Sequence, residues 1–300
     1  MKKNFSKIGL VTKADLHKIN LAAIEYVVRV FIKNGCIIYT TTEIYNALKE
    51  NNYPMINKVT LCKINHMHNY IDLGVACGGD GTFMHMARAL VGHTIPILGI
   101  HFGRLGFLMD IAAGDLEQQI DLIFEGHYII EKRLTLQFSA PQNTHRTEPG
   151  HAINDVLVHR GTYNRLTEFI IKIDDYELPG IRADGIVIAS STGSTGYSLS
   201  AQGSVIHPQL NAVTLTPICS HDIGINTRQT VLPGNTKIEV RSADSKTTAL
   251  VDGREYEYPI EPGKAIEVTG QCNGLIIIHP RGYNYFERLL KKFSLSESHH

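Results

Sequence analysis

Ile71-Asp72-Leu73-Gly74-Val75-Ala76-Cys77 runs into Gly78-Gly79-Asp80-Gly81-Thr82, and a helical pattern follows from Phe83 to Leu90. An apolar strand that breaks at glycines and reopens as a helix is a phosphate-binding device. The helix start offers unpaired backbone N–H groups and a partial positive charge. The glycines let a polyanion approach the main chain. Asp80 would repel a phosphate unless it has another task, such as holding a metal or taking a proton from an attacking hydroxyl. A phosphate cradle with a built-in base points to phosphoryl transfer. The plain alternative is a tight strand–helix turn in which Asp80 caps the helix.

Outward from this turn, strands and helices alternate. Lys7 to Thr12 predicts a strand, Ala14 to Lys33 a helix (apolar at Leu16, Ile19, Ala23, Val27 and Val30), Cys36 to Thr40 a strand and Thr42 to Glu50 a helix. Ile95 to Ile100 follows as a strand, and Asp115 to Phe124 as a helix capped from the Gly114-Asp115 turn. Apolar strands separated by helices imply a parallel sheet covered on both faces, with ligands at the strands' carboxyl ends. After about residue 128 short strands follow one another, punctuated by Pro179-Gly180, Pro233-Gly234 and Pro262-Gly263. Among them are Ala152–His159, Ala265–Thr269 and Leu275–His279. The expected organisation is an α/β, Rossmann-like domain over residues 1–128 and a β-rich domain over 129–280. A helix and tail over 281–300 would return to the first domain, with Tyr285, Phe286, Leu289, Leu290 and Phe293 on one side of the helix.

The 300 residues are 43% hydrophobic and 19% charged, which permits a sizeable core. Formal net charge is zero, which argues against a general nucleic-acid or membrane-surface binder. Cys36, Cys62, Cys77, Cys219 and Cys272 are scattered and lack metal-ligand spacing, so they read as reduced, mostly buried thiols of a cytoplasmic protein. No signal peptide and no membrane-spanning stretch is read from the sequence.

Four clusters in the second half carry polar chemistry. Asn154-Asp155 interrupts an apolar strand; a bulge explains it, and so does an amide for a base edge beside a carboxylate for ribose hydroxyls. Arg182 and Asp184 stand two apart, so both project to one face of an extended chain, as a solvent ion pair or as a ligand-facing pair. Ser190 to Ser200 is dense in hydroxyls and glycine and holds Tyr197. It reads either as a linker or as a surface for phosphate, ribose and purine. Val251-Asp252-Gly253-Arg254 reads as a hairpin turn.

Together these residues resemble the NAD kinase family. The match runs from Gly78-Gly79-Asp80-Gly81-Thr82 through Gly103-Arg104-Leu105-Gly106-Phe107-Leu108, Asn154-Asp155 and Arg182-Ala183-Asp184-Gly185. It continues in Thr192 to Ser200, Gly203 and His207-Pro208. The string Thr192-Gly193-Ser194-Thr195-Gly196-Tyr197-Ser198-Leu199-Ser200 and the late His279-Pro280 look closest to the proteobacterial type. The resemblance implies ATP-dependent phosphorylation of the 2′-hydroxyl of the adenosine ribose of NAD, giving NADP. It also implies a divalent cation, usually Mg²⁺, and a homodimer or homotetramer. Carried over by motif, Asp80 is the general base with Gly81 beside it, and Phe107 flanks the NAD pocket. Asn154 meets adenine and Asp155 the ribose. Asp184 holds the nicotinamide end with Arg182 close by. Thr195, Gly196, Tyr197, Ser198, Leu199 and Ser200 wrap the adenosine, and Arg165 matches a basic or polar ligand position.

Three positions depart from the family pattern. Asp155 stands where many members have Glu, Gly196 replaces a frequent Ala, and Arg254 stands where Gln is common. Two rival readings share part of the pattern. Lipid kinases of the diacylglycerol type resemble the chain at the glycine turn, but there an Asn-Glu pair tends to follow directly, whereas Phe83-Met84-His85 follows here. Phosphofructokinase-like enzymes share only the glycine turn. A non-catalytic NAD(P) sensor would have lost Asp80 or Asn154-Asp155, and both are present.

Overall fold

A computed structural model describes residues 5–12, 20–103, 106–141, 149–161, 167–222, 228–253 and 257–297. The chain divides into two compact units, Met1–Glu131 with Ile276–His300, and Lys132–Leu275.

In the first unit the apolar runs pair as parallel strands. Lys7–Thr12 lies between Ile37–Thr40 and Leu73–Cys77, and Val59–Leu61 forms the far edge beside Ile37–Thr40. On the other side Leu73–Cys77 pairs with Ile97–His101, and Ile277 pairs with Ile97. Leu73–Cys77 is buried at every position, as a strand covered on both faces must be. The helix Leu21–Lys33 buries Ile24, Val27, Val28, Val30, Phe31 and Ile32 in the core, each side chain contributing about 1.5–3 kcal/mol. Asn20 starts it, its Oδ1 accepting from the Ala23 N–H at 3.1 Å. The part of the expected helix before Asn20 lies largely outside the described residues. The helix Leu116–Phe124 has Asp115 at its N-cap position without a side-chain bond, so the expected capping is positional only.

The second unit is a sandwich of β-sheets. One is antiparallel, ordered Thr230–Pro233, Ala212–Ile218, Gly185–Ser190, Asp155–His159, Thr247–Val251, Glu257–Ile260. The other holds Tyr176–Glu177, Thr167–Ile173, Lys237–Ser242 and the long strand that begins at Ala265. Lys237–Ser242 alternates exposed and buried positions with the two-residue period of a sheet with one buried face. Val156, Val158, Ile186 and Ile188 from the first sheet share one core with Phe169, Ile171, Ile238 and Val240 from the second.

Two expectations are corrected. The run Ala152–His159 is two strands, Gly150–Ala152 and Asp155–His159, parted at Ile153-Asn154. The backbone N–H groups at 153–155 are diverted to a carboxylate described below, which ends the ladder. Conversely, Ala265–Thr269 and Leu275–His279 belong to one strand, Ala265–Pro280. Asn273 adopts φ 54° there, a kink of the sort that leaves a strand intact. The C-terminal helix spans Tyr285–Glu297 and belongs with the first unit. On its apolar side Phe286 and Leu290 are 61% and 67% exposed.

Candidate active site

At the glycine turn, Gly78 has φ +153°, and a Cβ there would lie 2.5 Å from Thr82 Oγ1, so the position admits only glycine. Gly79 is extended and carries the helix start, its carbonyl accepting from the Thr82 and Phe83 N–H groups at 2.8 and 3.2 Å. The helix therefore begins at Asp80, three residues before the sequence pattern suggested. Gly79 and Gly81 are exposed, and a Cβ on either would meet nothing within 4 Å. The turn thus presents bare main chain at a helix N-terminus.

Asp80 makes no capping bond to its own helix. Its Oδ2 accepts from the Phe107 N–H at 2.9 Å and its Oδ1 from the Leu108 N–H at 3.0 Å. The side chain is thereby fixed by the segment after Ile97–His101. Gly106 completes this contact, because a Cβ there would lie 2.0 Å from Asp80 Oδ1. The Phe107 ring meets Phe293 edge-on at 6.4 Å, and Lys292 Nζ stands 5.8 Å from its centroid.

In the second unit, Asp252 is the organising residue, and sequence reasoning missed it. It occupies the expected hairpin turn, with φ 51° followed by Gly253 at 60°. Its Oδ1 accepts from the N–H groups of Ile153, Asn154 and Asp155 at 3.0, 2.8 and 3.3 Å. Asp155 is buried beside it. Burial, together with the charge of Asp252, pushes the Asp155 carboxyl up to about 7 against the opposing Tyr197 N–H.

The hydroxyl-rich run is no linker. It folds as a 3-10 turn, Thr192–Thr195, and a single helical turn, Tyr197–Ser200. A Cβ at Gly193 would lie 2.0 Å from Asn154 O, and one at Gly196 would lie 3.5 Å from Asp155 Oδ2, so the run packs directly on Asn154-Asp155. Ser190 Oγ donates to Ile153 O at 2.6 Å and Ser194 Oγ to Ser191 O at 2.7 Å. The Ser198 hydroxyl is buried against Thr216 Oγ1 at 3.1 Å and faces the interior. Tyr197, Ser200 and part of Leu199 face outward, with Tyr197 49% exposed.

Arg182 and Asp184 do not act as a pair. Ile181–Ala183 ends before Asp184, so the two-residue alternation does not extend across them. Arg182 Nε and Nη2 donate to Asp222 Oδ1 at 3.0 and 2.6 Å. Asp184 Oδ1 instead meets Arg160 Nη2 at 3.1 Å. Arg165 and Arg254 lie outside the described residues. Among the described residues no group of three or more His, Cys, Asp and Glu side chains could hold a metal ion, and no helix is long and apolar enough to cross a membrane. All five cysteines are free: Cys36, Cys62 and Cys77 are buried, Cys219 and Cys272 exposed.

A glycine turn with a positioned carboxylate and, separately, a hydroxyl-rich run packed on a carboxylate are parts suited to a nucleotide-dependent phosphotransferase. Residues 8–128 match the ATP-NAD kinase N-terminal domain and residues 153–282 the ATP-NAD kinase C-terminal domain. The NAD kinase of Pseudomonas putida strain W619 is 39% identical over 219 residues, 72% of this chain and 73% of that one. That of Pseudomonas entomophila strain L48 has the same identity and coverage. The chain belongs to the NAD kinase family and is an enzyme of it, most similar in character to the proteobacterial type. Among solved structures, yeast NADH kinase complexed with NADH superposes with a TM-score of 0.84 at 23% identity, covering 98% of this chain and 89% of that one. An Archaeoglobus fulgidus NAD kinase in complex with ATP gives 0.65 at 23%, covering 95% and 98%. These two likenesses show the fold. The lipid-kinase reading is set aside, since both halves match ATP-NAD kinase.

The raised Asp155 carboxyl has a consequence for stability. Between pH 3.8 and about 7 the folded chain holds a proton that the unfolded chain releases. Stability therefore falls as pH rises through this window, by on the order of a few kcal/mol once the window is passed. Asp155→Asn removes the titrating group. Its melting temperature is expected to exceed wild type by several degrees at about pH 8, with the gap closing toward about pH 5. Parallel melting curves across pH check this, and a constant gap would assign the Asp155 effect to packing.

Proposed function

We propose that the chain transfers the terminal phosphoryl group of ATP to the 2′-hydroxyl of the adenosine ribose of NAD, giving NADP, with Asp80 as general base. The observation that carries this is the Asp80 carboxylate, at a bare-backbone helix start yet bonded to the Phe107 and Leu108 amides and not to its own helix. Each carboxylate oxygen accepts one N–H and keeps a further lone pair, enough to receive a hydroxyl proton. The exposed N–H groups at Gly79 and Gly81 suit the phosphates of a nucleotide. A ribose hydroxyl is a weak nucleophile, so a positioned base helps late in proton transfer, while alignment and charge neutralisation lower most of the barrier.

Within NAD, Asn154 meets adenine, Asp155 the ribose hydroxyls and Tyr197 a ring face. Leu199 and Ser200 border the same shelf, with Thr195 and Gly196 forming its backbone. Asp184 serves the nicotinamide end with Arg182 close by in sequence, and Arg165 is a further ligand residue carried over by motif. Because Ser198 is turned inward, its part is to hold the loop. The donor set fits Mg²⁺ held mainly by triphosphate oxygens. Asp80 is the carboxylate at the cradle, and Mg²⁺ is commonly bound through one or two carboxylates plus substrate phosphates. When bound, the cation neutralises charge on the transferring group. The enzyme works in the cytoplasm as a homodimer or homotetramer, without nucleic-acid or membrane partners.

Incubation with ATP, Mg²⁺ and NAD, read through an NADP-specific dehydrogenase, should give NADP. Asp80→Asn is expected to keep NAD binding and lose about 10²–10⁴ in turnover. Near wild-type turnover in that variant would remove Asp80 from the base role. Gly106→Ala offers a second check, because its methyl displaces the Asp80 carboxylate without altering the carboxylate's chemistry. Turnover should drop about 10²-fold at unchanged NAD affinity, measured by steady-state kinetics beside calorimetric NAD titration.

A further inference from the structure

The segment Gly106–Asp110 turns its N–H groups at 107 and 108 toward Asp80. Its carbonyls are engaged by a single side chain from the C-terminal helix. Arg288 Nη1 donates to Met109 O at 2.6 Å and to Gly106 O at 3.2 Å, and Arg288 Nη2 donates to Asp110 Oδ1 at 2.6 Å. One planar guanidinium thus bridges both ends of the peptide stretch whose amides fix the carboxylate. We infer that Arg288 is a positioning residue for phosphoryl transfer, clamping Gly106–Asp110 so that the Phe107 and Leu108 amides hold Asp80 in place. The inference rests on the Asp80 reading proposed above.

The clamp is itself anchored. Asp110 is buried, its other oxygen lying 2.6 Å from His279 Nδ1, and His279 Nε2 lies 2.6 Å from Glu131 Oε2. Burial alone would lower the His279 pKa, but its hydrogen bonds to both carboxylates and their charges outweigh that and raise it. His279 and Arg288 together face the two buried acids. Asn284 fixes the helix start, its Oδ1 accepting from the Phe286 and Glu287 N–H groups at 2.9 and 3.3 Å, which sets Arg288 one turn in. Phe286 and Leu290 face outward, so the helix does not depend on a broad apolar face to hold this position. Its links to the 106–110 segment include the Arg288 fork and the Phe293 and Lys292 contacts on the Phe107 ring.

A lysine at 288 retains the charge but not the fork, and a methionine retains neither. The experiment compares wild type, Arg288→Lys, Arg288→Met, Asp80→Asn and both 288 variants combined with Asp80→Asn. Readouts are kcat, KM for NAD and ATP, and melting temperature. Arg288→Met is expected to lower kcat by about 10- to 100-fold with KM changed less than about twofold, and Arg288→Lys to fall between. In the Asp80→Asn background either change should cost less than about twofold, because the group it positions is gone. Equal losses in both backgrounds, or no loss of kcat, would overturn the proposal. Should Arg288→Met fail to fold, the lysine cycle decides alone. An active Asp80→Asn enzyme would instead overturn the base reading, a separable result.

Discussion

A carboxylate removed from water has to be met by fixed donors, and much of this chain's architecture follows from supplying them. An unpaired buried charge costs several kcal/mol, whereas each charge-assisted hydrogen bond contributes about 1.5–3 kcal/mol. Asp80 receives the Phe107 and Leu108 amides, Asp252 the amides at 153–155, and Asp110 and Glu131 the His279 imidazole. In each case the donor comes from a different element from the acid. Each acid therefore does more than satisfy itself: it fixes one backbone segment against another, and these segments carry the residues to which the chemistry is assigned.

The two amide-fed acids work in opposite senses. Asp80 is held by a segment and is the group to be positioned. Asp252 holds a segment, and Asn154 and Asp155 are the groups positioned. The interruption at Ile153-Asn154 follows from the second arrangement. Those N–H groups cannot serve both a strand neighbour and the Asp252 carboxylate, and a charged acceptor outcompetes a neutral carbonyl. The bulge reading and the ligand reading of Asn154-Asp155 were therefore not rivals. The break in the ladder takes Asn154 out of the sheet's regular alternation, and Asp155 opens the next strand.

What was legible in the sequence was local. The strand–glycine–helix passage at 71–90 depends on neighbours a few residues apart, and so does the alternation of strand and helix before it. Lys7–Thr12 and Thr42–Glu50 were readable to the residue because their patterns are strong and their ends are marked. The supporting groups were not legible. Asp252 bonds residues 97 to 99 positions away, and Arg288 reaches Asp110 across 178. Asp252-Gly253 also has a sufficient local explanation as a hairpin turn, which conceals the second use of the carboxylate. The helical spacing at Phe286, Leu290 and Phe293 located the helix but not what holds it. Periodicity reports that a side is apolar, not that it is buried, and here the residue that ties the helix down is charged.

Asp155 shows why such a site keeps a costly group. A carboxyl raised to about 7 beside a second acid is neutral in much of the folded population at neutral pH, and the pair would be more stable with an amide in its place. Its position is nevertheless over-determined, by the Asp252 bond to its own N–H, by the Tyr197 N–H and by Gly196, where an added Cβ would lie 3.5 Å from its Oδ2. Under the proposed role, a side chain fixed this firmly is pre-organised to meet a ribose. Ribose hydroxyls both donate and accept, so they can meet either protonation state. The Asp arm keeps the carboxyl within this fixed setting, whereas a Glu here would carry it one methylene farther. The strain is local, and the stability that offsets it comes from the strand core of Val156, Val158, Ile186 and Ile188 directly beneath.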